Sequence, residues 1–208
     1  MLDLELVSGP TGSALDIVPL AEFKKHLRIT NNSLDDDLEA CLNEAVDKLG
    51  GRDGELNRTI FRTTWRRHFS CFPARSGVLR LPFPPLISVD GITYDDGESP
   101  LSEIDMDDVV VRVRDLIPEI RLIDTNTGWP SLGSYTHPRA VSVTYTAGYT
   151  TYPHQLKRMV KILAAHYFEN GEATINETKT IMINRAVMFG MEDLRASLKI
   201  PNSHDDWA

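Results

Sequence analysis

The chain has 208 residues, 41% of them hydrophobic and 25% charged, with a formal net charge of −8. That length holds about one to two domains and a sizeable core. No apolar run approaches the roughly 18 residues of a membrane span, Met1 to Pro10 lacks the basic start of a secretory signal, and the acidic balance argues against wrapping nucleic acid.

Residues 1 to 17 read as extended. Pro19 then opens a short helix whose buried face carries Leu20, Phe23 and Leu27. Asn31, Asn32 and Ser33 break it and offer caps for a second helix. Asp35, Asp36 and Asp37 suit the positive end of that helix's dipole, and Leu34, Leu38, Cys41, Leu42, Ala45 and Leu49 form its apolar stripe. Adjacent residues on a helix point to different sides, so the three aspartates do not make a metal site. Gly50, Gly51 and Gly54 end the helix as a turn; the cluster lacks phosphate-loop spacing.

From Thr59 the period changes to two. Phe61, Thr63, Trp65, Arg67 and Phe69 share one face, and Arg62, Thr64, Arg66 and His68 the other. A short strand follows at Val78 to Leu81, then the rigid connector P-F-P-P, then a strand from Leu86 to Tyr94 with a bulge at Asp90-Gly91. Asp95-Asp96-Gly97 is a turn signal. Strands are predicted at Val109 to Val113 and Glu119 to Ile123, and a loop at Thr125 to Pro138 pinned by Trp129 and Tyr135.

The most strongly patterned stretch is Ala140 to Asn170. Val141, Val143, Tyr145 and Ala147 alternate with Ser142, Thr144 and Thr146, which marks a half-buried strand. Gly148 ends it and Pro153 starts a helix carrying Leu156, Met159, Val160, Leu163 and Tyr167 on one face, closed by Gly171. The following polar segment is a connector or a weak hairpin, a short helix runs from Phe189 to Leu198, and Asn202 to Ala208 is a polar tail. The predicted class is α+β: a small helical bundle built from both chain ends with a β-rich, sandwich-like insertion. Its expected parts are N-terminal helices over 1–58, the insertion over 59–150, the main bundle helix over 151–170 and a C-terminal segment over 171–208.

The residues offer little for catalysis. The six histidines lack HExxH spacing, and His166 reads as a core or interface residue. No G-x-S-x-G elbow exists. Cys41 and Cys71 lack CxxC spacing and read as reduced thiols. D-M-D-D does not match a calcium loop. No cofactor or metal is expected.

Charge is the strongest remaining pattern. Between Arg58 and Arg80 stand six arginines, one histidine and no acid; between Asp95 and Asp108 stand seven acids and no base. Two readings are open. The blocks pair within one subunit, each exposed pair contributing about 0–1 kcal/mol. Alternatively, Arg62, Arg66 and Arg75 of one copy meet Asp95, Asp96, Asp105 and Asp107 of the next, a head-to-tail contact that can close into a ring.

The ordered set P-L-A-E-F-K-K-H-L-R, T-T-W, L-P-F-P-P-L-I-S-V-D-G-I-T-Y, V-T-Y-T-A-G-Y, A-H-Y-F-E-N and F-G-M-E-D-L resembles the head–tail connector (adaptor) proteins of tailed bacteriophages and gene transfer agents, over about residues 15 to 200. The resemblance implies a structural virion protein without catalytic residues. It would sit at the neck after passing through the host cytoplasm, as a ring, usually twelve-fold, on the portal protein. That ring would extend the DNA channel and dock a stopper or tail-completion protein. DNA would pass without specific binding, and no membrane is involved. The C-terminal segment would reach the portal, through Ile181, Ile183, Phe189, Met191, Leu194 and Leu198. The G-G-R-D-G after the second helix departs from the family's aromatic-rich helix end.

A channel should not grip phosphates. The acidic loop or the Asp-rich helix start is therefore expected nearer the lumen or a subunit contact than the arginine strand with Arg62 and Arg66. The competing reading is a β-sandwich carbohydrate-binding module with Trp129 and Tyr135 as a stacking platform. A hydrolase built on the acidic loop would need two carboxylates held about 5–10 Å apart in a cleft, which the loop composition gives no reason to expect.

Overall fold

The computed structural model describes residues 3–74, 77–98, 100–114, 117–124, 128–133, 138–170 and 191–200. They form two compact units. One draws on Met1–Thr11 and Phe61–Thr150, the other on Gly12–Ile60 and Thr151–Pro201. The class is α+β, with two antiparallel sheets and helices from both ends of the chain.

The β-rich unit is built around β8 (Val141–Ala147), the strand with the clearest alternation. Val141, Val143, Tyr145 and Ala147 are all fully buried. β2 (Arg62–Phe69) and β4 (Leu86–Tyr94) flank it, so Trp65 and Val89 both stand opposite Tyr145. β1 (Leu4–Thr11) adds to β2 and β5 (Ser102–Glu103) to β4, giving the order β1-β2-β8-β4-β5. The expected bulge is present: the β4–β8 register shifts between Val89 and Gly91. Leu4–Thr11 is extended as expected, whereas Ala14–Ile17, also expected extended, is one helical turn; the pairing of β1 to β2 depends on register and no local pattern foretells it. Its residues after Leu4 are exposed, which leaves no alternation to read.

A second sheet, order β3-β7-β6, contains β3 (Leu79–Arg80), β6 (Val109–Arg114) and β7 (Ile117–Leu122). β7 begins two residues before its predicted start and includes Pro118; β6 pairs on that side through Val113↔Pro118. The two sheets share one core. Trp65, Ile92, Val143 and Tyr145 come from the first, and Leu79, Val109 and Ile120 from the second. The proline connector runs between the sheets, with Leu81 fully buried and Phe83 nearly so. Phe83 packs against Trp65 with ring centroids 5.9 Å apart.

The helical unit holds α1 (Ala14–Ile17), α2 (Leu20–Leu27), α3 (Asp35–Leu49) and α4 (His154–Glu169). Its core includes Ile17, Phe23, Leu38, Leu42, Leu49, Leu156, Met159 and Val160, all essentially inaccessible to solvent. α3 is not capped by a side chain as expected; its N-cap is Leu34. The candidate caps are used elsewhere: Lys24 Nζ donates to Asn32 and Asp35, both at 2.6 Å, and Ser33 donates to Asn31. Lys24 thus ties α2 to the start of α3. In α4, Leu163 and Tyr167 are only half-buried and Ala164 takes the core position, because the stripe drifts round the helix at 3.6 residues per turn. Gly171 lies outside the described residues; the C-cap is Asn170. Residues 191–198 are helical. Among the described residues, no helix is long and apolar enough to cross a membrane.

Candidate functional site

The outer face of β2 is a ladder of polar contacts within the sheet. Arg62 is exposed. Arg66 Nε donates to Thr144 Oγ1 at 3.2 Å, and its Nη1 lies 3.7 Å from the Glu5 carboxylate. His68 bridges two strands, with Nδ1 2.8 Å from Ser142 Oγ and Nε2 3.3 Å from Glu5 Oε2. The row Glu5–His68–Ser142 has the residue types of a hydrolytic triad. It stands on a sheet whose backbone amides are engaged in the ladder between β1, β2 and β8. It is a cross-strand structural network.

Arg67 lies on the inward face, as its place in the alternation predicts, and is only 4% exposed. Burial lowers its pKa to about 10, so it stays charged at neutral pH. Its guanidinium sits 4.3 Å above the Phe69 ring and donates to the Arg80 carbonyl. This arginine is a core residue.

The loop acids serve first as turn-makers. Asp95 accepts from the Gly97 amide and Asp96 from the Glu98 amide, both at 2.9 Å; Asp105 accepts from Asp107 at 2.9 Å. The Ser102 hydroxyl and the Glu98 amide hold the Asp96 carboxyl below the usual aspartate range. Among the described residues, Arg62 and Arg66 form no ion pair with Asp95, Asp96, Asp105 or Asp107. Arg75 lies outside the described residues. Beyond the turns, Glu103, Asp105, Asp108 and Asp124 line a cleft of about 440 Å³ with Tyr94 and Leu122. Among the described residues, no three carboxylates, histidines or cysteines come close enough to hold a metal ion.

A second charged cluster was not legible in the sequence. On the outer face of the three-stranded sheet, Arg80 and Arg112 both stand opposite Glu119. Glu119 is 4% exposed. It accepts from Arg80 Nε at 3.3 Å and from Arg121 Nη2 at 2.9 Å. Burial alone would raise its pKa; the two guanidiniums more than offset this and hold it below the usual glutamate range. The arginines belong to three strands, so only the register assembles them.

In the helical unit, Leu198 and Ile200 are buried, while Met191 and Leu194 are half-buried. Residues 55–58 hold this stretch. Arg58 Nε donates to the Leu198 carbonyl, Asn57 Nδ2 to the Ile200 carbonyl at 2.8 Å, and Ile200 N to the Leu56 carbonyl at 3.1 Å. Ile181, Ile183 and Phe189 lie outside the described residues. His166 is half-buried and contacts Asn170, its Nδ1 3.1 Å from Nδ2. Trp129 is stacked on Phe72 at 5.0 Å and 8°, which occupies one ring face that a sugar would need. Tyr135 lies outside the described residues.

No protein-family model and no curated protein matches the chain. Solved structures do. A chain in the virion of a native gene transfer agent particle shares the fold with a TM-score of 0.67, at 18% identity over 96% of both chains. A chain in the neck of an empty gene transfer agent particle, with C6 symmetry, gives 0.64 at 19% identity over 96% of each. One in the neck of a native particle, with C12 symmetry, gives 0.63 at 18% identity over 97% of this chain and 96% of that one.

Proposed function

We propose that this chain is a head–tail connector (adaptor) in the neck of a tailed phage or gene transfer agent. The observation that carries the reading is the likeness to chains of gene transfer agent neck structures, over at least 96% of each chain. The ordered motifs in the sequence point the same way. In this reading copies form a twelve-fold ring on a portal protein. The ring extends the DNA channel and presents a surface to a stopper or tail-completion protein. The role is structural, and the chain passes through the host cytoplasm before assembly.

Two features support it. The chain is acidic, with a net charge of −8, so a channel lined by it would slide past phosphate rather than hold it. The helical residues 191–198 are anchored at Leu198 yet keep Met191 and Leu194 partly accessible. Those two, with Ile181, Ile183 and Phe189, form the proposed portal contact; Leu198, expected in that contact from the sequence, is buried and serves as the anchor. Native mass spectrometry of the chain mixed with the portal protein of its own genome tests the reading. A portal carrying a full ring is expected, and deleting residues 171–200 should abolish it. An assembled portal that takes up no chain would refute the reading. Arg62 and Arg66 lining the lumen of an assembled ring would refute the proposed channel electrostatics.

A further inference from the structure

The β6–β7 hairpin carries opposite charge at its two ends. At its open end, where Val109 pairs with Leu122, lies the cleft walled by Glu103, Asp105, Asp108 and Asp124. Towards its turn stands Arg112, exposed, with Val113 beside it at 63% exposure. Arg112 faces Glu119 across the ladder, but that carboxylate is already shared by Arg80 and Arg121. Three arginines around one carboxylate leave positive charge in excess. Among the described residues, the Arg112 side chain has no hydrogen bond or ion pair. β6 is also an edge strand, so the backbone along Arg112 and Val113 has an unpaired side.

Among the described residues no ion pair joins Arg112 to an acid of the cleft; Asp108 ends the turn Met106–Asp108, and Arg112 stands four residues further on, along β6. Among the described residues, the cleft's carboxylates form no group of three that could hold a metal ion. They suit a broad cation, and a guanidinium is planar and weakly hydrated. Exposed apolar residues accompany both ends: Val113 near the arginine, and Leu101 and Ile123 next in sequence to β5 and to Asp124, at 55% and 62% exposure. Charge and apolar surface are thus matched between one end of the hairpin and the other.

We propose that the arginine end of this hairpin, Arg112 with Val113, docks into the acidic cleft of a second copy of the same chain. The contact is heterologous and repeats head to tail, as a ring requires. It rests on the connector reading. It differs from the contact expected from sequence in its arginine, Arg112 in place of Arg62, Arg66 and Arg75; Arg66 is engaged within the sheet by Glu5 and Thr144. The arginine that meets the acids is the one the β6–β7 register leaves over.

Two charge reversals test it. Arg112→Glu blocks the arginine end and leaves the cleft intact; Glu103→Arg with Asp108→Arg blocks the cleft and leaves Arg112 intact. All three sites are surface positions, and circular dichroism checks that each variant is folded. Each variant alone should self-associate at least about ten-fold more weakly than wild type by sedimentation at low salt, and neither should form rings on the portal. Mixed together, the intact arginine end meets the intact cleft, and the two reversed ends face each other with opposite charge, so association above that of either variant alone is expected. Rings of Arg112→Glu on the portal like those of wild type, or a mixture no more associated than its parts, would overturn the contact while leaving the connector reading intact. Wild type that never forms rings on an assembled portal would overturn both.

Discussion

The hydroxyl of Tyr145 donates to the carbonyl of Pro82 at 2.9 Å, joining the central strand to the proline connector 63 residues earlier. Tyr145 is fully buried, and burial pushes its pKa well above the ordinary tyrosine range. Pro82 has no backbone N–H, so this bond from β8 fixes the path between the two sheets. Tyr145→Phe keeps the ring and removes the donor. It should cost about 1–2 kcal/mol in urea denaturation, mainly for the carbonyl left without that partner. An unchanged midpoint would mean that solvent reaches the carbonyl.

Glu119 gives the β-rich unit an acid-sensitive point. Its pKa is depressed in the fold, so its contribution is complete above the unfolded value and is lost as pH falls through the folded one. Glu119→Gln should therefore be less stable than wild type at pH 7, and the gap should close from about pH 5 downwards. Thermal melts across that range check it. A gap independent of pH would show that shape, not charge, holds Glu119 in place.

Gly148 ends β8 with φ at +136°, and its amide donates to the Pro85 carbonyl at 2.8 Å. A Cβ there would meet the Phe61 carbonyl oxygen at 2.6 Å, against backbone that cannot step aside. Gly148→Ala combines a disfavoured conformation with a clash and should cost about 1–3 kcal/mol or more. Chemical denaturation would read the loss.

Arg58 is 6% exposed and bonds the Leu198 carbonyl. Arg58→Ala should release residues 191–200 before the rest of the helical unit. Hydrogen exchange in that stretch should speed up by at least about ten-fold, while the α3 and α4 amides keep their protection. Equal loss throughout would mean that the stretch is part of one cooperative unit.

The sequence by itself determined the elements whose residues repeat with a clear period. β8 alternates cleanly, α3 and α4 carry apolar stripes, and the β4 bulge was legible at Asp90-Gly91, because period and turn chemistry are local properties. Tertiary structure decided the rest, since pairing and charge neighbours depend on register. β1 joins β2 although its residues after Leu4 are exposed. Within the chain, among the described residues, the two charged blocks do not pair through Arg62 and Arg66: strand pairing gives Arg66 to Glu5, and the pleat turns Arg67 into the core. Arg112 of β6, outside both blocks, is left over where Arg80 of β3 meets Glu119 and Arg121 of β7. A side chain's period follows from its own segment. Its partners depend on which segments fold beside it, and only the assembled sheets specify that.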